Sequence, residues 1–512
     1  MINTKSLLKL HKNGKTTSHF NKSLDWVRRH QSSQGGIQVS SVNKNMYPEV
    51  TGYFIPSLIE WGEIELARQF GEALIKVQQV DGSFLDSGST TKCVFDTGQI
   101  TRGLYELYVY TNDVRFLETL LKALNWINST IDADGTVDAP DVRVWGGVIP
   151  IGILLYSLEP ALRISRNLKL NVEKLNSAVD KLLQDKDLEN FTSVSHFHAY
   201  IVEAMVDLGE IERAKSALFE VLDKRNLRDW IPGKPGHKWV CSTAMFQYAV
   251  VCFKLGLSDE GNTLFLAATK LQNRSGGWFG SYGWPAKSVA PLGRLHSYFG
   301  MYFARTEIPW AIKYFLDALT LRLQVNFNLV ANTFSDSIAQ DDGRLELVMG
   351  LIEKHNPKSL LDLGCGKGRY LKHISAKFPD IEIYGCDISN KVTKSLTKIV
   401  EVKHGAIVNI PFEDQQFDLV FTVEALEHCV NLDAALREIN RVVKPNGTIL
   451  IVDKNISKLG RLELPDWEQW FDTKELERKL HNLEFATSIV ENVPYENRND
   501  GLFFGLIGRK NE

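Results

Sequence analysis

The sequence predicts a multidomain chain, all-α in its N-terminal part and α/β, with a doubly wound and mostly parallel sheet, in its C-terminal part. Three observations carry this. Over the first ~325 residues a turn of one grammar returns at multiples of about 48 residues, and self-similarity at that period means stacked supersecondary units. Beyond residue ~340, short apolar runs alternate with helix-like stretches, the order of parallel strands joined by helices. Between the two, residues 332–343 (NTFSDSIAQDDG) are polar and turn-prone. The expected division is 1–327, a join at 328–343, and 344–512.

Composition agrees and removes several classes. A chain of 512 residues implies two to four domains at ~150 residues each. The apolar fraction of 44% and charged fraction of 24% are globular values. A formal charge of −3 argues against a protein that binds nucleic acid by neutralising phosphates. No apolar run approaches the ~20 residues of a spanning helix, and the N-terminal stretch MINTKSLLKLHKNGKTT lacks the continuous apolar core of a secretory signal. Cys93, Cys241, Cys252, Cys365, Cys386 and Cys429 form neither a C-x-x-C pair nor a framework spacing. A reduced, cytoplasmic protein is expected, with a small-molecule or glycan substrate, no membrane span and no nucleic-acid partner. Its oligomeric state is not readable.

The most informative segment is SLLDLGCGKGRY at 359–370. An apolar run ends in Gly364, Gly366 and Gly368, and a helical pattern follows. Glycine is required where backbone approaches a ligand closely or takes positive φ. A second strand-like run, IEIYGC at 381–386, ends in Asp387, 19 residues after Gly368. An acid there can accept hydrogen bonds from both ribose hydroxyls of an adenosine ligand. IPF at 410–412, FDLVF at 417–421, a helix, VVKPNGTILI at 442–451 and a final run LFFGLI at 502–507 continue the alternation. Leu345–Lys354 reads as a lead-in helix, broken before Pro357.

In these residues the stretch from about 342 to 510 resembles the class I S-adenosylmethionine-dependent methyltransferases. DLGCGKG at 362–368 is similar to their first motif, Asp387 to their ribose acid, FDLV at 417–420 to their fourth strand and KPNG at 444–447 to the turn before the fifth. The resemblance implies a Rossmann-like sheet, S-adenosyl-L-methionine as cofactor, and a donor site of Asp362, Gly364, Cys365, Gly366, Gly368, Asp387, Ile388, Ala406, Ile407 and Glu424. Two departures stand out. Many relatives carry Asp after the third strand, where it holds the adenine amine. Here HGAI at 404–407 offers Ala406, leaving backbone groups for that task. Asn446 stands where Gly is commoner, which is tolerable because Asn also visits left-handed φ. Cys365 is expected to be a small buried filler rather than a nucleophile.

Methyl transfer needs positioning, electrostatics and, for a hydroxyl acceptor, a base. EALEH at 424–428 follows the fourth strand, so His428 and Glu427 are the catalytic candidates. The string is also similar to the divalent-cation site of ubiquinone-biosynthesis O-methyltransferases. A role in capping a helix and bonding the cofactor loop, without chemistry, stands beside both. No metal site is assigned.

The N-terminal part holds no phosphate loop, metal cluster or nucleophile elbow, but it repeats. QSSQGGI at 31–37, QQVDGSF at 78–84 and QNRSGGW at 272–278 share one grammar, with a weaker copy, IDADGTV, at 131–137. A second series precedes helix patterns: PEVTGY at 48–53, FDTGQ at 95–99, VWGGV at 144–148, HFHAY at 196–200 and VCSTA at 240–244. A sixth start is placed at 283–286 or 295–297. Six helical hairpins argue for an α/α toroid, and the turn resembles those of the six-hairpin superfamily, which includes sugar epimerases, unsaturated-uronide hydrolases and terpene cyclases. The resemblance implies a central funnel rimmed here by Tyr47, Glu49, Asp96, Gln99, Trp145, His196, His198, Trp239 and Trp284, a set suited to carbohydrate. Glu49 and Asp96 could instead complement helix dipoles, and His196 and His198 could be cap and packing residues. No D-x-D-D acid motif supports a cyclase.

The reading is a methyltransferase that O-methylates a saccharide or saccharide-like metabolite held with help from the toroid. One alternative is a bifunctional enzyme whose toroid itself epimerises, cleaves or hydrolyses a sugar. Another is a glycan- or protein-binding toroid attached to a degenerate methyltransferase domain.

Overall fold

The computed structural model describes residues 15–145, 147–283, 301–396, 400–462, 464 and 468–512. Trp284 lies outside them, as do 284–286 of one expected start of the sixth repeat and all of the other, 295–297. The chain divides into two compact units, one chiefly Leu323–Glu512, the other Lys22–Ile59 with Glu63–Arg322.

The N-terminal region is helical: α1 (Lys15–Arg29), α2 (Pro48–Glu60), α3 (Ile64–Val77), α4 (Val94–Thr111), α5 (Val114–Ser129), short α6 (Pro140–Trp145), α7 (Leu155–Asn167), α8 (Glu173–Leu183), α9 (Ser195–Asp207), α10 (Ile211–Leu222), α11 (Ser242–Lys254), α12 (Ser258–Thr269) and α13 (Pro309–Val330). Two short antiparallel strands, β1 (Trp239–Cys241) and β2 (Ser281–Gly283), are the only ones described there. The helices are of two kinds. α2, α9 and α11 are buried along nearly their whole length, and α4 along its N-terminal part, from Val94 to Leu104. Their hairpin partners α3, α5, α10 and α12 bury one face only, the pattern of helices with one side in water.

The repeated turn has one geometry. Gly35, Gly82, Gly135 and Gly276 have φ of 96°, 95°, 82° and 101°, a conformation that L side chains avoid. Each donates its N–H to the carbonyl three residues back. A Cβ at Gly82 would stand 2.2 Å from Lys122 O on α5, one at Gly135 2.5 Å from Ser177 O on α8, and one at Gly276 2.0 Å from Lys22 O on α1. Three of the four copies thus dock on backbone, and the Gly276 copy docks on the first described helix.

Two expectations need correction. VWGGV at 144–148 does not start a helix: α6 ends at Trp145, and α7 is entered through a 3-10 turn at Ile151–Leu154. The polar join expected at 328–343 begins inside α13, which runs to Val330, and its end already belongs to the next element, because Asp342 caps α14 (Gly343–His355) by accepting Arg344 N–H at 3.0 Å.

The C-terminal unit holds a seven-stranded sheet of β3 (Ser359–Leu363), β4 (Glu382–Asp387), β5 (Glu401–His404), β6 (Phe417–Val423), β7 (Val443–Lys454), β8 (Phe485–Tyr495) and β9 (Arg498–Lys510), ordered β5-β4-β3-β6-β7-β9-β8. The first five strands are parallel, while β9 runs antiparallel between β7 and β8. α15 (Arg369–Lys377), α16 (Asn390–Leu396), α17 (Leu432–Val442) and α18 (Thr473–His481) make the connections, and apolar cores cover both faces. The order reverses at β3, so the carboxyl ends of β3 and β6 border a crevice. The turn before the fifth strand is absorbed into β7 as a bulge, with Asn446 at φ 60°. Residues 410–412 form no strand; Ile410 and Phe412 are buried core residues. All six cysteines are free and buried. Among the described residues no helix is long and apolar enough to cross a membrane.

Candidate active site

The glycine turn closes β3 onto β4. Gly364, Gly366 and Gly368 all have positive φ, of 76°, 52° and 70°. Gly364 and Cys365 donate their N–H groups to Cys386 O, at 2.8 and 3.1 Å, and Gly366 donates to Asp387 Oδ2 at 2.9 Å. Asp387 Oδ1 accepts Ser389 N–H at 2.8 Å. Burial pushes the Asp387 carboxyl up, against those two hydrogen bonds. A Cβ at Gly364 would meet that of Ala425 at 2.3 Å, whereas one at Gly366 would meet nothing within 4 Å. The turn is therefore packed on one side and open on the other, a cradle a ligand's backbone-facing edge can enter. Beneath it Asp362, 2% exposed, has an Oδ2 without a partner. An orphaned buried carboxylate oxygen costs free energy unless a donor reaches it, and an adenosyl amino acid carries such donors. These residues fit S-adenosylmethionine. Cys365 is buried, and burial holds its thiol well above the usual range, as a filler requires. Ile388 and Ile407 are half-buried, and Ala406 closes a turn by accepting Asn409 N–H at 3.0 Å.

Glu424 is held by two arginines. It has φ 55°, and its Oε2 accepts from Arg344 Nη1 at 2.7 Å and Arg369 Nη2 at 2.6 Å. Both arginines are charged at any accessible pH, so this carboxylate is committed to them. It does not join Glu427 and His428 to cage a cation, and among the described residues no group of acids, histidines and cysteines is placed to hold a metal.

Glu427 and His428 lie on a 3-10 turn, Leu426–His428, directly after β6. Glu427 Oε1 accepts from Lys454 Nζ at 3.0 Å and lies 3.5 Å from His428 Nε2. Lys454 also bonds Glu468 Oε1 at 3.2 Å, which Trp470 Nε1 reaches at 2.8 Å. The backbone N–H of Glu427 donates to Asp453 Oδ2 at 3.0 Å. Burial pushes the Glu427 carboxyl up to about 7, with Lys454 opposing. Burial pushes His428 down to about 4, so its imidazole is neutral at pH 7. Its Nδ1 has no partner, and its ring stands 5.3 Å from that of Phe327. Sequence reasoning missed Arg344, Arg369, Asp453, Lys454 and Glu468. Their partners lie on other elements, and no local pattern marks them.

In the helical unit, Tyr47 bonds the Glu49 carboxyl, and Glu49 Oε1 is buried without a partner. Burial raises Glu49 to about 7, with Tyr47 and Lys313 opposing, and burial together with the neighbouring Glu49 raises Asp96 well above the carboxylate range. His196 Nδ1 donates to Gln247 Oε1 at 2.6 Å, and its ring stands 4.5 Å from Tyr200 and 5.7 Å from Tyr302. Trp145 meets Phe95 edge-on at 6.4 Å. Other candidates are spoken for. His198 Nδ1 pairs with the Tyr248 hydroxyl at 2.8 Å and Nε2 with Glu189 O at 3.0 Å, leaving no nitrogen for a ligand. Gln99 spends its amide N–H groups on Tyr156 O and Ser157 Oγ, keeping only Oε1 free. Trp239 is buried in β1 with its ring against Gly233, and its Nε1 has no partner among the described residues.

Residues 361–451 match the family model described as a methyltransferase domain. Norajmaline N-methyltransferase of Rauvolfia serpentina is 31% identical over 142 residues, which are 25% of this chain and 47% of that protein. A sterol 4-C-methyltransferase of Caenorhabditis elegans is 29% identical over 25% of this chain and 37% of its own. The chloroplastic tocopherol O-methyltransferase of Arabidopsis thaliana is 33% identical over 23% of this chain and 36% of its own. The chain thus spans less than half the length of each. Glycine turn, acid at the end of β4, strand order and sequence match agree: this chain carries a class I S-adenosylmethionine-dependent methyltransferase domain.

Proposed function

We propose that the protein transfers the methyl group of S-adenosylmethionine to an oxygen of a small hydroxylated acceptor, saccharide-like in our reading, and that Asp387 and the open face of Gly366 seat the donor. The observation that carries the donor site is Gly366, tied to Asp387 by its N–H yet facing empty space where a side chain would stand. The donor supplies an activated methyl for in-line displacement. The chain's own residues hold and orient: Asp387 keeps lone pairs for ribose hydroxyls, Asp362 Oδ2 awaits a donor, and neutral His428 can take a proton from the acceptor, with Glu427 beside it. The matched relatives are named for methylating nitrogen, carbon and oxygen, so the shared segment does not choose the atom. Oxygen is favoured here by the imidazole beside a carboxylate.

The saccharide reading rests on the helical unit, which we take to be a six-hairpin toroid. Its support is the turn at Gly276, which docks on α1 as Gly82 docks on α5, the relation a closed ring of hairpins requires. Tyr47, Glu49, Asp96, His196 and Trp145 are its ligand candidates, and Trp284 is retained from sequence alone. A second reading, in which this unit has its own sugar chemistry, is favoured by Asp96, whose buried carboxyl has no hydrogen-bond partner among the described residues.

Calorimetry with S-adenosylmethionine tests the donor site: binding by the wild type and its loss in Asp387→Ala is the expected pair of results. A screen of neutral sugars and sugar nucleotides with methyl-tritiated donor then tests the acceptor. Transfer to amines or sterols alone would replace the saccharide reading while keeping the donor site.

A further inference from the structure

The stretch that precedes the matched domain runs along the carboxyl edge of its sheet. It begins with the last turns of α13, at Gln324, continues to Ile338, and touches the carboxyl end of β5 and the segments that follow β3, β4 and β6. After β5, the side-chain amide of Gln324 lies 3.1 Å from His404 Nε2, which itself faces Ile388 O at 3.0 Å. After β6, the ring of Phe327 meets that of His428 at 5.3 Å. After β4, Asn328 Oδ1 accepts the Ser389 hydroxyl at 2.8 Å and Lys391 N–H at 3.4 Å. After β3, Lys367, between two glycines of the turn, donates to Asn332 O at 3.1 Å and Phe334 O at 2.7 Å. On α15, Lys372 Nζ bonds Asp336 O at 2.9 Å and His373 Nε2 bonds Ile338 O at 3.3 Å.

This spread is not what a passive connection needs, since two or three anchors would fix fifteen residues. The partners are also selective. Ser389 is the residue whose N–H holds Asp387, Lys367 is the centre of the glycine turn, and His428 is the acceptor-side imidazole. Several bonds are long lysine side chains meeting strap carbonyls, which can part without breaking a helix or strand.

We propose that residues 324–338 are a strap over the donor crevice, latched by Asn328 and Lys367, which must lift for S-adenosylmethionine to enter and S-adenosylhomocysteine to leave. Closed, it sets Phe327 as the wall of the acceptor opening beside His428. The inference rests on the donor site proposed above. It adds that exchange, rather than affinity alone, is controlled by a stretch that precedes the matched segment. Gating of this kind acts on the rate of product release.

The test is displacement of bound S-adenosylhomocysteine from the full chain, followed by stopped flow. Asn328→Ala and Lys367→Met should each release it about fivefold faster, and the double variant more than tenfold, as losses of one or two hydrogen bonds imply. Lys377→Met, whose partner Glu353 lies away from the strap, should release it at the wild-type rate. Hydrogen exchange of the wild type gives a second reading that needs no variant: S-adenosylhomocysteine should slow exchange of amides 331–338. Equal release rates in folded variants, or unchanged exchange there, would overturn the strap. Failure of the wild type to bind S-adenosylhomocysteine at all would instead overturn the donor site.

Discussion

Gly366 gives its backbone N–H to Asp387 Oδ2 at 2.9 Å while leaving open the space its own side chain would fill. One hydrogen bond thus ties the turn after β3 to the end of β4 and leaves both facing the crevice. Gly366→Ala would put a methyl into that space at φ 52°. The strain should cost about 1–2 kcal/mol of stability, and affinity for S-adenosylmethionine should fall by on the order of tenfold or more. Calorimetry and thermal unfolding separate the two effects; unchanged affinity would mean that the donor does not use this face.

Arg344 is the buried counter-ion of the C-terminal unit, paired with Asp342 at 2.8 Å and Glu424 at 2.7 Å. Arg344→Met should destabilise this unit by about 3 kcal/mol, because it strands carboxylates that cannot regain water. Urea unfolding of the full chain, followed by a probe in this unit, measures it. A loss below about 1 kcal/mol would show that Arg369 alone satisfies Glu424.

Gly82→Ala tests the repeated turn. The new Cβ would stand 2.2 Å from the Lys122 carbonyl at φ 95°, and strain plus overpacking should cost about 3 kcal/mol. Gly209→Ala is the comparison: it too has positive φ, 88°, but its Cβ meets nothing within 4 Å. It should therefore show the strain alone, about 1–2 kcal/mol. Equal losses in the two would remove the docking argument.

His198 makes stability fall in mild acid. Burial pushes its imidazole down to about 4, although the bond to Glu189 O opposes this. A lowered folded value means the contribution is complete above the unfolded value of about 6.5 and is lost as pH falls through about 4. The full span is worth about 3 kcal/mol. His198→Gln should be less stable at pH 7 yet lose less between pH 6.5 and 4, as urea midpoints at several pH values will show. Parallel curves would mean that His198 is not the group responsible.

How far the site was legible depends on distance along the chain. The glycine turn and Asp387 are readable because 19 residues of strand, turn and helix suffice to bring them together. The repeated turn is readable because positive φ demands glycine in every copy, and in three of the four a carbonyl also stands where a side chain would be. The pairing of Glu424 with Arg344 is not legible because the two are 80 residues apart and nothing near either announces the pair. Lys454 and Glu468 were missed for the same reason. β8 is not legible because its alternation of exposed and half-buried residues lacks a sustained apolar run. The first residues of the expected join, 328–330, are the end of α13, because the polar composition that marks a join starts only at residue 332. His198 shows the opposite error: a histidine at a helix entrance reads as a ligand until both its nitrogens are seen to be occupied.

The six buried thiols have a practical corollary. Burial is the largest influence on each of them and raises it above the ordinary cysteine range, so in the native protein none is a ready nucleophile toward a maleimide. A single cysteine introduced on the surface would then take a fluorophore without removal of any native one. Leu329, 57% exposed at the end of α13, is such a position, and a dye there would report on its surroundings one turnover at a time.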